Sequence, residues 1–177
     1  MTMATTFTIT SRIVHWLMAV LIVVMLFIGI AMVSSLANYH RLVGIHEPIG
    51  ILILLLVAIR LVNRLLNPPP PLPDEMPMAL KVVAHASHWL LYALMFALPL
   101  VGWGMLSAAS YPIVLFGPLH LPAILPHSDM LYSSLRSLHT VLAFALFAAF
   151  LAHIGAALMH ALVFRDGVFH SMASWER

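Results

Sequence analysis

His15, His46, His139 and His153 sit inside long apolar runs of a chain that is otherwise poor in polar residues. An ionisable side chain within a membrane-spanning segment is costly and marks a functional site by default. Imidazole in that setting ligates a metal, relays protons, or hydrogen-bonds a neighbouring helix. Spacing helps to separate these roles. His139 and His153 lie 14 residues apart on one run. Fourteen residues of α-helix turn through about 1400°, about 40° short of four full turns, and rise about 21 Å. The two rings therefore share a helix face at two depths, as ligands of two stacked centres must.

The elements that position these residues follow from composition. Of the 177 residues, 63% are hydrophobic and 8% charged. Soluble domains carry about 25% charged residues, so the chain reads as a membrane protein. Four apolar runs, near 10–33, 43–66, 82–107 and 136–163, reach the roughly 20 residues a spanning helix needs. Rich in Leu, Ala, Met and Val, they predict an all-α integral membrane four-helix bundle, one domain over residues 1–177. Thr8, Thr10 and Ser11 offer N-cap oxygens to the first helix. That run is too long for the core of a cleavable signal peptide, and no small-residue cleavage pattern interrupts it.

Residues 34–42 form a short polar link, and residues 67–78 a proline-rich strap in which no helix continues. Residues 108–135 carry Pro112, Pro118, Pro122 and Pro126 among apolar residues, and a short interfacial helix lying over the bundle is expected there. There is no cysteine, which excludes disulfides, iron–sulfur clusters, zinc–thiolate sites and covalent haem attachment. The net charge of +2, with bases at segment ends, argues against nucleic acid as a partner. With the N-terminus cytoplasmic, that side carries Arg12, Arg60, Arg64, Lys81, Arg165 and Arg177, against Arg41 and Arg136 outside. The asymmetry predicts an N-in, C-in topology in a bacterial inner membrane.

Depth then pairs the histidines. Counting 1.5 Å per residue, His46 and His139 both lie about 5 Å below the outer end, and His15 and His153 about 25–27 Å below it. Non-covalent haem b fits such a pattern, since its iron accepts two axial imidazoles and its ring needs a gap in an apolar bundle. Two haems between helices follow. Filling both axial positions favours electron transfer over oxygen binding. Depth does not separate His15 from His88, which lies about 28 Å below the outer end of the third helix. Gly50, Gly102 and Gly155 admit either a flat ring against backbone or ordinary close helix contacts.

Several segments appear in a recognisable order: Ile13-Val14-His15-Trp16, Gly44-Ile45-His46, Ala84-His85-Ala86-Ser87-His88, Ala97-Leu98-Pro99-Leu100-Val101-Gly102 and Ser137-Leu138-His139. His153 with His160, and Arg60 with Arg64 before the proline strap, complete the set. In this the chain resembles the prokaryotic cytochrome b561 family over nearly its whole length, its superoxide:ubiquinone oxidoreductases above all. The resemblance implies haem ligation by His15 with His153 and by His46 with His139. It also implies a quinone-associated role for His160. Thr140 departs from the pattern, standing where many relatives carry an acid.

The other polar residues carry two readings each. His85 and His88, three apart, either bond propionates and headgroups or form a quinone or proton site beside the inner haem. Arg60 and Arg64 suit haem propionates through the planar guanidinium fork, or anchor the inner face. Arg41 and Arg136, the outer bases, would steer an anion such as superoxide or bind outer propionates. His40, His120, His127 and His170 belong to loops or the tail, and the twelve methionines to the apolar filling.

The functional expectation is a di-haem membrane oxidoreductase that oxidises superoxide at the periplasmic side and reduces ubiquinone. The alternative is a cytochrome b subunit relaying electrons between quinone and a hydrogenase, a dehydrogenase or a periplasmic partner. A haem-free transporter using histidine relays is the third class.

Overall fold

The computed structural model describes residues 6–174. Helix α1 spans Ile9–Ser34, α2 Tyr39–Leu66, α3 Met78–Ala108 and α4 Asp129–Leu158. A π-helical segment, Met159–Phe164, continues α4, and a short α5 spans Val168–Ala173. Among the described residues, four helices are long and apolar enough to cross a membrane. Large apolar side chains such as Phe27, Val33, Val141 and Phe144 point outward, the arrangement that lipid rather than water favours.

Local sequence explains the helix ends. Thr8 caps α1, its hydroxyl accepting from the Ser11 amide at 3.2 Å. α4 begins seven residues before the expected 136, because Ser128 caps it through the Leu131 amide and Asp129 places an acid in the first turn. α3 starts directly after Pro77, where the strap ends. Pro48 and Pro99 lie inside α2 and α3, and each deletes one backbone hydrogen bond.

The stretch between α3 and α4 corrects the expectation of an interfacial helix. It holds an antiparallel hairpin, β1 Ile113–Phe116 and β2 Leu119–Leu121, with β1 packed on α2. β-Branched Ile113 and Val114 favour strand, and Gly117, at φ +53°, supplies the positive φ that a two-residue hairpin turn needs at its first central position.

Consecutive helices run antiparallel, and both described ends of the chain meet at one end of the bundle. There the Phe7 amide donates to the Ser171 carbonyl at 3.0 Å and Trp16 Nε1 to the Met172 carbonyl at 3.2 Å. Arg12 is buried and donates to the Ser174 carbonyl, so it secures α5 rather than anchoring at a headgroup. Arg60, Arg64, Lys81 and Arg165 share this terminal end, while Arg41 and Arg136 lie at the opposite one. Arg177, counted in the topology expectation, lies outside the described residues.

The core runs through Met18, Ile22, Ile53, Val57, Tyr92, Met95 and Leu146. Helix pairs α1–α2, α2–α3 and α3–α4 pack closely, but the backbones of α1 and α2 stay apart from that of α4.

Candidate redox centres

Two imidazole pairs bridge the helices that stay apart. His15 of α1 faces His153 of α4 with ring centroids 6.3 Å apart and planes 68° to one another. His46 of α2 faces His139 of α4 at 6.2 Å and 65°. An imidazole–metal bond is about 2 Å long and the ring centre lies about an ångström behind the nitrogen, so two imidazoles facing one metal put their centroids about 6 Å apart. Both pairs meet that spacing, and they do so at opposite ends of one face of α4.

His88 is also present at the terminal-end pair, its ring 5.4 Å from that of His153. That separation is shorter than the spacing the other two pairs share. Its Nδ1 is engaged with the Ala84 carbonyl at 2.7 Å. Among the described residues no group of three or more His, Asp or Glu is placed to hold a metal ion, so His15, His88 and His153 do not form a three-imidazole cage.

The Leu98 backbone lies close enough to interact with the His139 ring, but neither His46 nor His139 is satisfied at Nδ1. Their Nδ1 atoms are buried without a hydrogen-bond partner, a costly arrangement for rings serving only to join helices. Gly102 of α3 lies flush against the His139 ring, and a Cβ there would meet Cε1 at 3.5 Å and Nδ1 at 3.6 Å. A Cβ at Gly155, two residues beyond the other centre's His153, would meet nothing within 4 Å, whereas at Gly50 it would make ordinary contact with Met25. The tightest glycine is Gly104, which was not singled out by sequence; its Cβ would lie 3.1 Å from Leu125 of the loop before α4. Apolar surroundings, facing imidazoles and separated backbones all fit haem b.

The two arginines of α2 serve different neighbours. Arg60 donates to the Ser11 carbonyl at 3.3 Å, close to the Tyr92 hydroxyl and near enough to His15 and His153 to act electrostatically on both. Arg64 instead stands over the Trp89 and Tyr92 rings, at 6.0 and 5.8 Å, as a cation–π clamp between α2 and α3. Ser11 and Asn63, joined at 2.6 Å, complete this polar corner. His85 and His88 do not act as a pair. His85 is exposed and bonds its own helix at the Lys81 carbonyl, while His88 faces inward.

At the opposite end Arg41 and Arg136 are exposed, and Arg136 donates to the Tyr132 hydroxyl at 3.0 Å. Thr140 bonds back to the Arg136 carbonyl and takes no part in the His46–His139 pair. His160 falls within the π segment, so its seven-residue separation from His153 is not that of an unbroken α-helix. Its Nδ1 meets Asp166 Oδ2 at 2.6 Å, a partner that sequence reasoning missed. His127 bonds the Ala108 carbonyl and is structural.

Residues 6–175 match the prokaryotic cytochrome b561 family. The chain belongs to that family. A cytochrome b561 homolog 2 of Escherichia coli (strain K12) is 33% identical over 162 residues, 89% of this chain and 86% of its own length. A probable superoxide oxidase CybB of Yersinia pestis is 30% identical over 171 residues, 93% of each chain. Membership in the cytochrome b561 family makes this a multi-pass prokaryotic membrane protein of electron transfer, with haem of the b type as its cofactor. The paired histidines are the residues that would hold such a group.

Proposed function

We propose that the chain is a single di-haem domain that oxidises superoxide and reduces ubiquinone across the bacterial inner membrane. The observation that carries this reading is the pair of matched imidazole couples, at 6.3 and 6.2 Å, spanning helices whose backbones stay apart. His15 with His153 holds the inner haem and His46 with His139 the outer one. When bound, haem b supplies one-electron chemistry at each depth.

The chain's own residues define the rest. With both termini cytoplasmic, Arg41 and Arg136 are the outer cations that attract an anion toward the His46–His139 end. Arg60 provides a half-buried positive charge beside His15 and His153, suited to a propionate. His160 stands at the inner end as the quinone's hydrogen-bonding partner. Two superoxide anions become dioxygen, and their two electrons with two protons convert one ubiquinone to ubiquinol. The similarity to a probable superoxide oxidase supports this choice of donor.

The test is the purified chain alone in detergent or liposomes. Superoxide-dependent reduction of ubiquinone-1, together with a pyridine haemochrome stoichiometry of two per polypeptide, is expected. One haem per chain overturns the di-haem assignment. Two haems with no superoxide-dependent quinone reduction overturn the oxidase reading and leave a relay subunit that needs a protein partner.

A further inference from the structure

The π segment ends in an arrangement that the haem centres do not use. Arg165 takes φ +51° and Gly167 φ +82°, two departures into left-handed backbone on either side of Asp166 that turn the chain back after Phe164. This reversal brings Asp166 against His160, with Oδ2 at 2.6 Å from Nδ1. The pair is largely enclosed, the side chains being 18% and 22% exposed. Asp166 Oδ1 simultaneously accepts from the Val168 amide at 3.1 Å, so both carboxylate oxygens are assigned. A π interruption at a helix end carrying a titratable dyad is a frequent mark of a functional site.

We propose that Asp166 is a positioning residue for quinone reduction, fixing His160 with Nδ1–H on the carboxylate and Nε2 left for a quinone carbonyl oxygen. This rests on the assignment of His160 to the quinone. A carboxylate on one ring nitrogen sets the tautomer and orientation of the other. When the ring carries a second proton, Nε2–H donates to the quinone oxygen and passes that proton as electrons arrive. The balance is one quinone, two electrons from two superoxide anions and two protons, giving one quinol and two dioxygen. One proton crosses from His160 Nε2 and the second comes from water. His160 is left neutral, still bonded to Asp166 through Nδ1–H, and regains its proton from water at the terminal end. Among the described residues Nε2 makes no hydrogen bond, which leaves it available for this contact.

Asp166→Asn separates this role from the bond to the Val168 amide. Asparagine, like aspartate, accepts from the backbone amide two residues on. With its oxygen on the Val168 amide, its NH2 group faces His160 and does not accept Nδ1–H. In the experiment, haem is first reduced by superoxide and then reoxidised anaerobically by ubiquinone-1, each phase followed optically, with equilibrium binding of ubiquinone-1 measured separately. For Asp166→Asn the maximal reoxidation rate is expected to fall by about tenfold to a hundredfold, with half-saturating quinone changed less. Haem content and the superoxide phase should stay as in the unaltered protein, and Asp166→Glu should restore part of the rate. His160→Gln should show the same loss, and the double variant should be no slower than His160→Gln alone, as expected of groups acting as one unit. A reoxidation rate within twofold of the unaltered protein overturns the proposal, as does a loss matched by equal loss of haem. If the unaltered reduced protein is not reoxidised by ubiquinone-1, the quinone reading itself fails and this inference with it.

Discussion

The rings of His46 and His139 stand 6.2 Å apart, centroid to centroid, across two helices whose backbones do not pack together. His15 and His153 repeat this relationship at the other end of α4, at 6.3 Å. Losing either member of a couple should therefore cost the same centre. His15→Ala and His153→Ala are expected to lower haem from two to one per chain and to give matching residual spectra. His46→Ala and His139→Ala should leave the complementary spectrum. Pyridine haemochrome assay and redox titration of the four variants check the pairing.

His88 provides the contrasting case. Its Nδ1 is bonded to the Ala84 carbonyl and its ring lies closer to His153 than His15 does. His88→Ala should retain two haems per chain. The same haemochrome assay reads this directly, and loss of one centre in His88→Ala with both kept in His15→Ala would reassign the ligand.

Gly102 tests the fit around His139. Gly102→Ala places a methyl 3.5 Å from His139 Cε1, an ordinary contact, and removes a helix-interior glycine worth about 1 kcal/mol. It should keep both haems, with thermal stability equal or raised. Gly102→Val adds bulk toward the ring and should deplete the His46–His139 centre while sparing the other, as measured by haem content and the potential that remains.

The distinct placement of two neighbouring arginines predicts distinct redox effects. Arg60 acts on His15 and His153, so Arg60→Gln removes a cation that favours the reduced centre. The potential of that centre should fall by about 30–60 mV, on a scale where 59 mV is tenfold for one electron. Arg64→Gln should shift it less, because its guanidinium lies over Trp89 and Tyr92. Potentiometric titration separates the two.

Exposed Arg41 and Arg136 are accessible to salt, which gives the steering idea its test. The Arg41→Glu/Arg136→Glu double variant should slow haem reduction by superoxide by about tenfold at low ionic strength, with the difference shrinking as salt shortens the Debye length. Pulse-radiolysis rates across a salt series provide the measurement.

Much of the fold was legible from local pattern. Each run of about 20 apolar residues has only one way to satisfy its backbone in lipid, so four spanning helices follow from composition and length. Antiparallel threading with a fixed rise per residue then placed His46 level with His139 and His15 level with His153. The hairpin at 113–121 was less legible, because four prolines obscured a short β-branched run around Gly117 and a contact with α2 decides its conformation.

The sequence by itself determined which residues share a depth, because depth in a helix is a count of residues. It did not determine which residues face one another, because facing depends on helix rotation and on which backbones pack. Tertiary structure alone separated His85 from His88, turned Arg64 onto aromatic rings while leaving Arg60 beside His15, and set the backbones of α1 and α2 apart from that of α4. It also brought Asp166 to His160. Six residues is no helical spacing, and only the left-handed turn at Arg165 and Gly167 brings that carboxylate back to the ring.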